Sequence, residues 1–158
     1  QRSNSSFFRH RNPPLQLFSK HNKEIFKIKE AEIYLSEEKT ELSLDFKTGK
    51  CISSPFEDTK QNGEITGEFW LFDINIADLK ELEGKTFYIK DGYDNVNYED
   101  CSLFYYYNHQ SVSENVIEFI ECNSECFVIK ITANTCDVNF YDESKPKTKI
   151  EITAKFKI

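Results

Sequence analysis

The last ten residues, 149–158, carry Ile150, Ile152, Ala154, Phe156 and Ile158 at every second position, with Glu151, Thr153, Lys155 and Lys157 between them. Side chains on a strand alternate between faces, so this spacing predicts a strand with one apolar face and one wet, charged face. Such a strand needs a core that the preceding residues must supply. The same alternation recurs upstream, where Leu42, Leu44 and Phe46 alternate with Glu41, Ser43, Asp45 and Lys47. Before it, Phe26 and Ile28 share one parity while Ala31, Ile33 and Leu35 share the other. One extra residue near Glu30, a β-bulge, realigns the two sets. A turn at 36–39 makes this pair a hairpin.

Residues 48–62 read as a polar connection. The strand expected over 64–74 contains Phe69-Trp70-Leu71-Phe72, apolar on both faces, and is therefore central or covered. The segment 76–84 is the one helical pattern: Asn75 or Asp78 can cap it, Ile76, Leu79 and Leu82 recur every third residue, and Gly84 follows its end. It is too short to stand alone and is expected to plug one end of the β-structure. Further strands are expected at 85–90, 101–107, 116–122, 126–133 and 136–141. The short links 108–115, 123–125 and 142–147 imply antiparallel neighbours. The expected fold is all-β: an antiparallel β-sandwich or partly closed barrel of about nine strands with one short helix. The chain's 158 residues suffice for one such domain.

Residues 1–23 read as a basic arm or linker, leaving 24–158 as a single domain. The arm holds Arg2, Arg9, Arg11, Lys20 and Lys23 with no acid, and Pro13-Pro14 bars a regular element there. Phe7, Phe8, Leu15, Leu17 and Phe18 are apolar enough to dock on something. With a net charge of −7 overall and +5 on the arm, the remainder carries −12. An acidic body repels phosphate backbones and suits a basic protein partner, although solubility alone also accounts for such a charge. Nothing approaches the roughly 18 apolar residues of a membrane span, and there is no signal-peptide core. The cysteines, Cys51, Cys101, Cys122, Cys126 and Cys136, are odd in number and irregularly spaced. That pattern favours reduced thiols and a cytoplasmic protein. Cys122 and Cys126 flank an expected hairpin end, where a cross-strand disulfide depends on Cα separation.

Two stretches are candidates for a site. In 91–100, Asp91, Asp94, Asn95, Asn97, Glu99 and Asp100 offer closely spaced oxygens of the kind calcium takes, although the order is not that of an EF-hand and turn chemistry selects the same residues. Tyr93 and Tyr98 among these acids make a surface for a basic partner. In Leu103-Phe104-Tyr105-Tyr106-Tyr107 either parity leaves aromatics facing outward, where a Tyr can anchor a partner unless another element or a cross-strand Tyr covers it. The candidate contact residues are Asp91, Tyr93, Asp94, Tyr98, Glu99, Asp100, Tyr105, Tyr106 and Tyr107.

Enzymatic signals are lacking. His10 and His21 lie in the arm, and His109 is the one histidine of the body, expected in a loop. There is no nucleophile elbow, no phosphate-binding glycine run and no second ligand pair to join Cys122 and Cys126 around zinc. No catalytic residue, metal or cofactor is expected. The alternative is a ligand-binding or adhesive β-sandwich module of an exported protein, of which a calcium-dependent module is one form.

Three segments carry a family likeness: Leu82-Glu83-Gly84-Lys85-Thr86-Phe87-Tyr88-Ile89, Val116-Ile117-Glu118-Phe119, and Asp137-Val138-Asn139-Phe140-Tyr141-Asp142-Glu143-Ser144-Lys145-Pro146 before the alternating last strand. Over about residues 65–158 the chain resembles small bacterial all-β proteins of polymorphic-toxin systems. The resemblance implies an immunity-type protein that binds and neutralises a cognate toxin. It supplies no functional residues, and the arm has no counterpart in it.

Overall fold

The computed structural model describes residues 14–18, 23–53, 64–106, 108–136, 138 and 143–158. Among these residues it has β1 (Leu15–Phe18), β2 (Lys23–Leu35), β3 (Leu42–Ser53), β4 (Thr66–Leu71), β5 (Thr86–Ile89), β6 (Tyr93–Asp94), β7 (Glu99–Asp100), β8 (Ser102–Tyr106), β9 (Asn108–Ser111), β10 (Ser113–Cys122), β11 (Cys126–Thr135) and β12 (Thr148–Lys157). Ten of them form one sheet in the order β5-β10-β11-β12-β1-β2-β3-β4-β8-β9, and β6 and β7 form a separate ribbon. The sheet is antiparallel apart from a single parallel contact of Lys157 with Glu32, and it curls into a half-barrel. Of the two expected forms, the partly closed barrel is therefore the one adopted.

The alternation of the last strand holds. Ile150, Ile152, Ala154 and Phe156 are completely buried, while Glu151, Thr153 and Lys155 face the other side. Ile158 lies past the strand's end and is 48% exposed, so it does not join that apolar face. Partner residues share the pattern: Phe127, Ile129, Ile131 and Ala133 of β11 stand opposite Phe156, Ala154, Ile152 and Ile150. Burial of each large side chain contributes about 1.5–3 kcal/mol, and together they make one continuous core on the inner face. Phe87, Phe119 and Phe127 meet edge-to-face within it. The bulge expected near Glu30 is present as a register shift between Ile28 and Glu30.

The curl has a visible cause. β9 at one edge of the sheet and β10 beside the other edge are separated only by Val112, so the two edges must approach each other. Polar groups stitch them together. The Val112 carbonyl accepts from Ser102 Oγ at 3.0 Å and from Asn115 Nδ2 at 2.9 Å. The Gly92 carbonyl accepts from the amides of Cys101 and Ser102, and the Lys90 carbonyl from that of Glu114. Ser102 and Asn115 are fully buried, and these bonds give partners to Ser102 Oγ and to Asn115 Nδ2, while Asn115 Oδ1 is left without one.

Several elements differ from the sequence reading. Leu15–Phe18, read as part of the arm, is a strand hydrogen-bonded between β12 and β2, with Leu15 and Leu17 buried. β3 continues to Ser53, into what reads as a connection, and the expected link 108–115 contains β9. The helical segment shrinks to a 3-10 helix at Leu79–Leu82, capped reciprocally by Asp78 and Glu81. Leu82, Ile74 and Ile76 enter the core, as a plug should. The remainder of residues 1–13 and 19–22, and most of the strand expected at 136–141, lie outside the described residues.

Candidate partner-binding surface

The acidic stretch 91–100 folds as the β6–β7 ribbon with a turn at its tip. Asp94 Oδ1 accepts from the Val96 amide at 2.8 Å and the Asn97 amide at 3.2 Å, and Oδ2 accepts from Asn97 Nδ2 at 2.8 Å. These bonds hold the Asp94 carboxyl below its ordinary range, the Val96 amide contributing most. Both oxygens are thus used by the turn. Among the described residues, no group of three or more His, Cys, Asp or Glu is placed to hold a metal ion. Tyr98 adopts φ +55° at the turn and is 80% exposed, and Glu99 and Asp100 are exposed beside it.

The tyrosines of β8 divide by parity. Tyr105 faces outward, 38% exposed, with its ring 4.7 Å from that of His109 on β9. His109 is therefore a strand residue and not a loop residue. Tyr106 faces inward and is buried, packed edge-to-face on Phe26 with its hydroxyl 3.5 Å from Glu24, which removes it from the contact surface. Tyr107 lies outside the described residues.

The register of β2, β3, β4 and β8 assembles a surface that no single segment reveals. Glu32, Asp45 and Glu68 stand directly opposite one another on three adjacent strands, and Leu103 continues the row. One row to one side lie Tyr34, Ser43 and Trp70. One row to the other side lie Glu30, Lys47, Thr66, Tyr105 and His109. The acids are thus flanked by Tyr34 and Trp70 on one side and by Glu30, Lys47 and Thr66 on the other, with Tyr105 at the β8 end of that second row. Tyr34 is 51% exposed and its hydroxyl donates to Glu32 Oε2. Burial, then Glu68, then Glu32 push the Asp45 carboxyl upward. Glu30, Glu32, Asp45, Lys47, Thr66 and Glu68 line a shallow cavity of about 220 Å³. The Trp70 amide donates to the Cys101 carbonyl, which places the ribbon's Glu99 and Asp100 at the end of the Tyr34–Trp70 row.

Among the described residues, Cys101, Cys122, Cys126 and Cys136 are not joined in a disulfide. Cys122 stands opposite Phe127, one position off from Cys126, so the two thiols leave opposite faces of the hairpin and do not pair. No helix among the described residues is long and apolar enough to cross a membrane.

No family model, curated protein or solved structure matches the chain.

Proposed function

We propose that this domain is a non-enzymatic, cytoplasmic protein-binding module that docks a basic protein on the outer face of β2–β4 and β8. The observation that carries this is the in-register row Glu32, Asp45 and Glu68, flanked by Tyr34 and Trp70 on one side, with Tyr105 at the β8 end of the row on the other. Like charges placed directly opposite one another weaken a sheet. A partner's Lys or Arg side chains between them would turn that repulsion into attraction, with Tyr34, Trp70 and Tyr105 as contact anchors. The ribbon acids Asp91, Glu99 and Asp100 extend the negative field and steer encounter, and Tyr98 offers a further anchor. The resemblance to immunity-type proteins makes a toxin the leading partner. A calcium-dependent exported module draws less support, because the Asp94 oxygens are used by their own turn.

The test compares proteins captured from the source organism by the immobilised wild-type domain and by an Asp45→Lys/Glu68→Lys variant. The reading expects a basic protein that the wild type retains at low salt, releases at high salt, and that the variant does not retain. Retention by both forms would remove this face from the interface. Recovery of no basic protein would overturn the reading.

A further inference from the structure

Away from the acidic rows, the base of the ribbon, the Val112 link and the turn at 143–147 enclose an open depression of about 660 Å³. That is within the usual range of ligand pockets, about 300–1,000 Å³. We propose that it binds a neutral, polyhydroxylated ligand, namely a saccharide.

Among the described residues that line the depression, the two acids Asp91 and Glu143 are matched by the two bases Lys145 and Lys147, a lining that favours neither an anion nor a cation. Side-chain amides supply much of the rest, from Asn95, Gln110 and Asn134. An amide presents donors and an acceptor side by side, which is what a ring of hydroxyls, each donor and acceptor at once, requires. Tyr93 adds one partly exposed aromatic ring, whose electron-rich face suits the C–H face of a sugar.

The frame is also rigid. Gly92 is wedged so closely that an added Cβ would lie 2.5 Å from the Val112 carbonyl oxygen and 2.8 Å from Ser102 Oγ. Lys147 Nζ donates to Ser113 Oγ at 3.3 Å across the rim. A polar ligand that buries little apolar area depends on such pre-organisation, because little energy is left to order the site.

The experiment titrates the full chain with neutral mono- and disaccharides, among them glucose, galactose, N-acetylglucosamine and its β1,4-linked dimer, and follows backbone amide shifts. At least one sugar is expected to give saturable shifts confined to 91–95, 110–113, 134–136 and 143–147. Tyr93→Ala and Asn134→Ala should each weaken that binding by about tenfold or more. The Asp45→Lys/Glu68→Lys variant should leave it unchanged, which separates this site from the protein-docking face. Absence of saturable local shifts with every sugar overturns the proposal. So does a site that takes inorganic phosphate or free lysine instead, or one indifferent to both substitutions.

Discussion

Asp45 of β3 stands directly opposite Glu68 of β4, with Glu32 of β2 directly opposite on its other side. Three carboxylates in cross-strand register oppose one another. The folded protein raises the Asp45 carboxyl above its ordinary value, chiefly by burial. Between the unfolded and folded values the native state therefore binds more protons than the unfolded one, and stability falls as pH rises through that window. Asp45→Asn removes both repulsions. It should stabilise the free domain at neutral pH by about 0.2–1 kcal/mol per relieved pair, while weakening capture of a basic partner. Thermal melts should show the gain shrinking at strongly acid pH and in high salt. A variant less stable than wild type at neutral pH would contradict the stated repulsion.

Gly92 holds the ribbon to the sheet. Its missing side chain leaves room for the Val112 carbonyl and for Ser102, and its own carbonyl accepts from the Cys101 and Ser102 amides. Gly92→Ala must push backbone aside, a cost of about 1–3 kcal/mol. Hydrogen exchange should locate the damage: the Cys101 and Ser102 amides should exchange faster, while those of β11 keep their relative protection. Unchanged exchange at both amides would mean that the wedge does not matter.

Glu24 is a carboxyl on the buried side of β2, 9% exposed, with the Tyr106 hydroxyl 3.5 Å away. Burial raises its carboxyl, and the tyrosine bond offsets part of that. A raised acid stabilises the fold when protonated and loses that contribution as pH climbs past the unfolded Glu value. Glu24→Gln, which keeps an acceptor for Tyr106, should flatten the decline in stability between acid and neutral pH. Urea titrations at the two pH values measure this. Equal declines in the two proteins would place Glu24 outside the account.

The outer and inner faces of β12 should respond very differently to truncation. Phe156 is completely buried against Phe127, so Phe156→Ala should cost about 3–5 kcal/mol. Lys155→Ala, one residue away on the opposite face, should fall within about 0.5 kcal/mol of wild type. Chemical denaturation of the two variants reads the contrast, and similar costs would undo the assignment of faces.

Much of the fold was legible because alternation is local. Ile150, Ile152, Ala154 and Phe156 announce their face, as do Leu42, Leu44 and Phe46. The bulge near Glu30 shows as a change of parity within one segment, and the Asp78 cap as a short-range pattern. What was not legible depends on register between strands. Glu32, Asp45 and Glu68 look like ordinary solvent-facing positions of three strands until pairing lines them up. Tyr106 could not be told from Tyr105 because Leu103 to Tyr107 is apolar or aromatic on both parities, and only the inward demand of Phe26 decides between them. β1 was hidden for a related reason: four residues beside Pro13-Pro14 carry too short a pattern to stand out, and their strand character comes from two distant partners.

Those two partners give β1 a consequence for how the chain folds. Gln16 pairs with Glu151 on one side and Ile25 on the other, so one of its neighbours lies 135 positions away along the sequence. Closing so large a loop delays assembly, and folding should be slow, in the range of milliseconds to seconds. Until β1 seats, β12 and β2 meet directly at the end that carries Lys157 and Glu32, while the seam that β1 fills stays open. That interval is when two refolding molecules at high concentration can exchange these four residues and emerge interlocked.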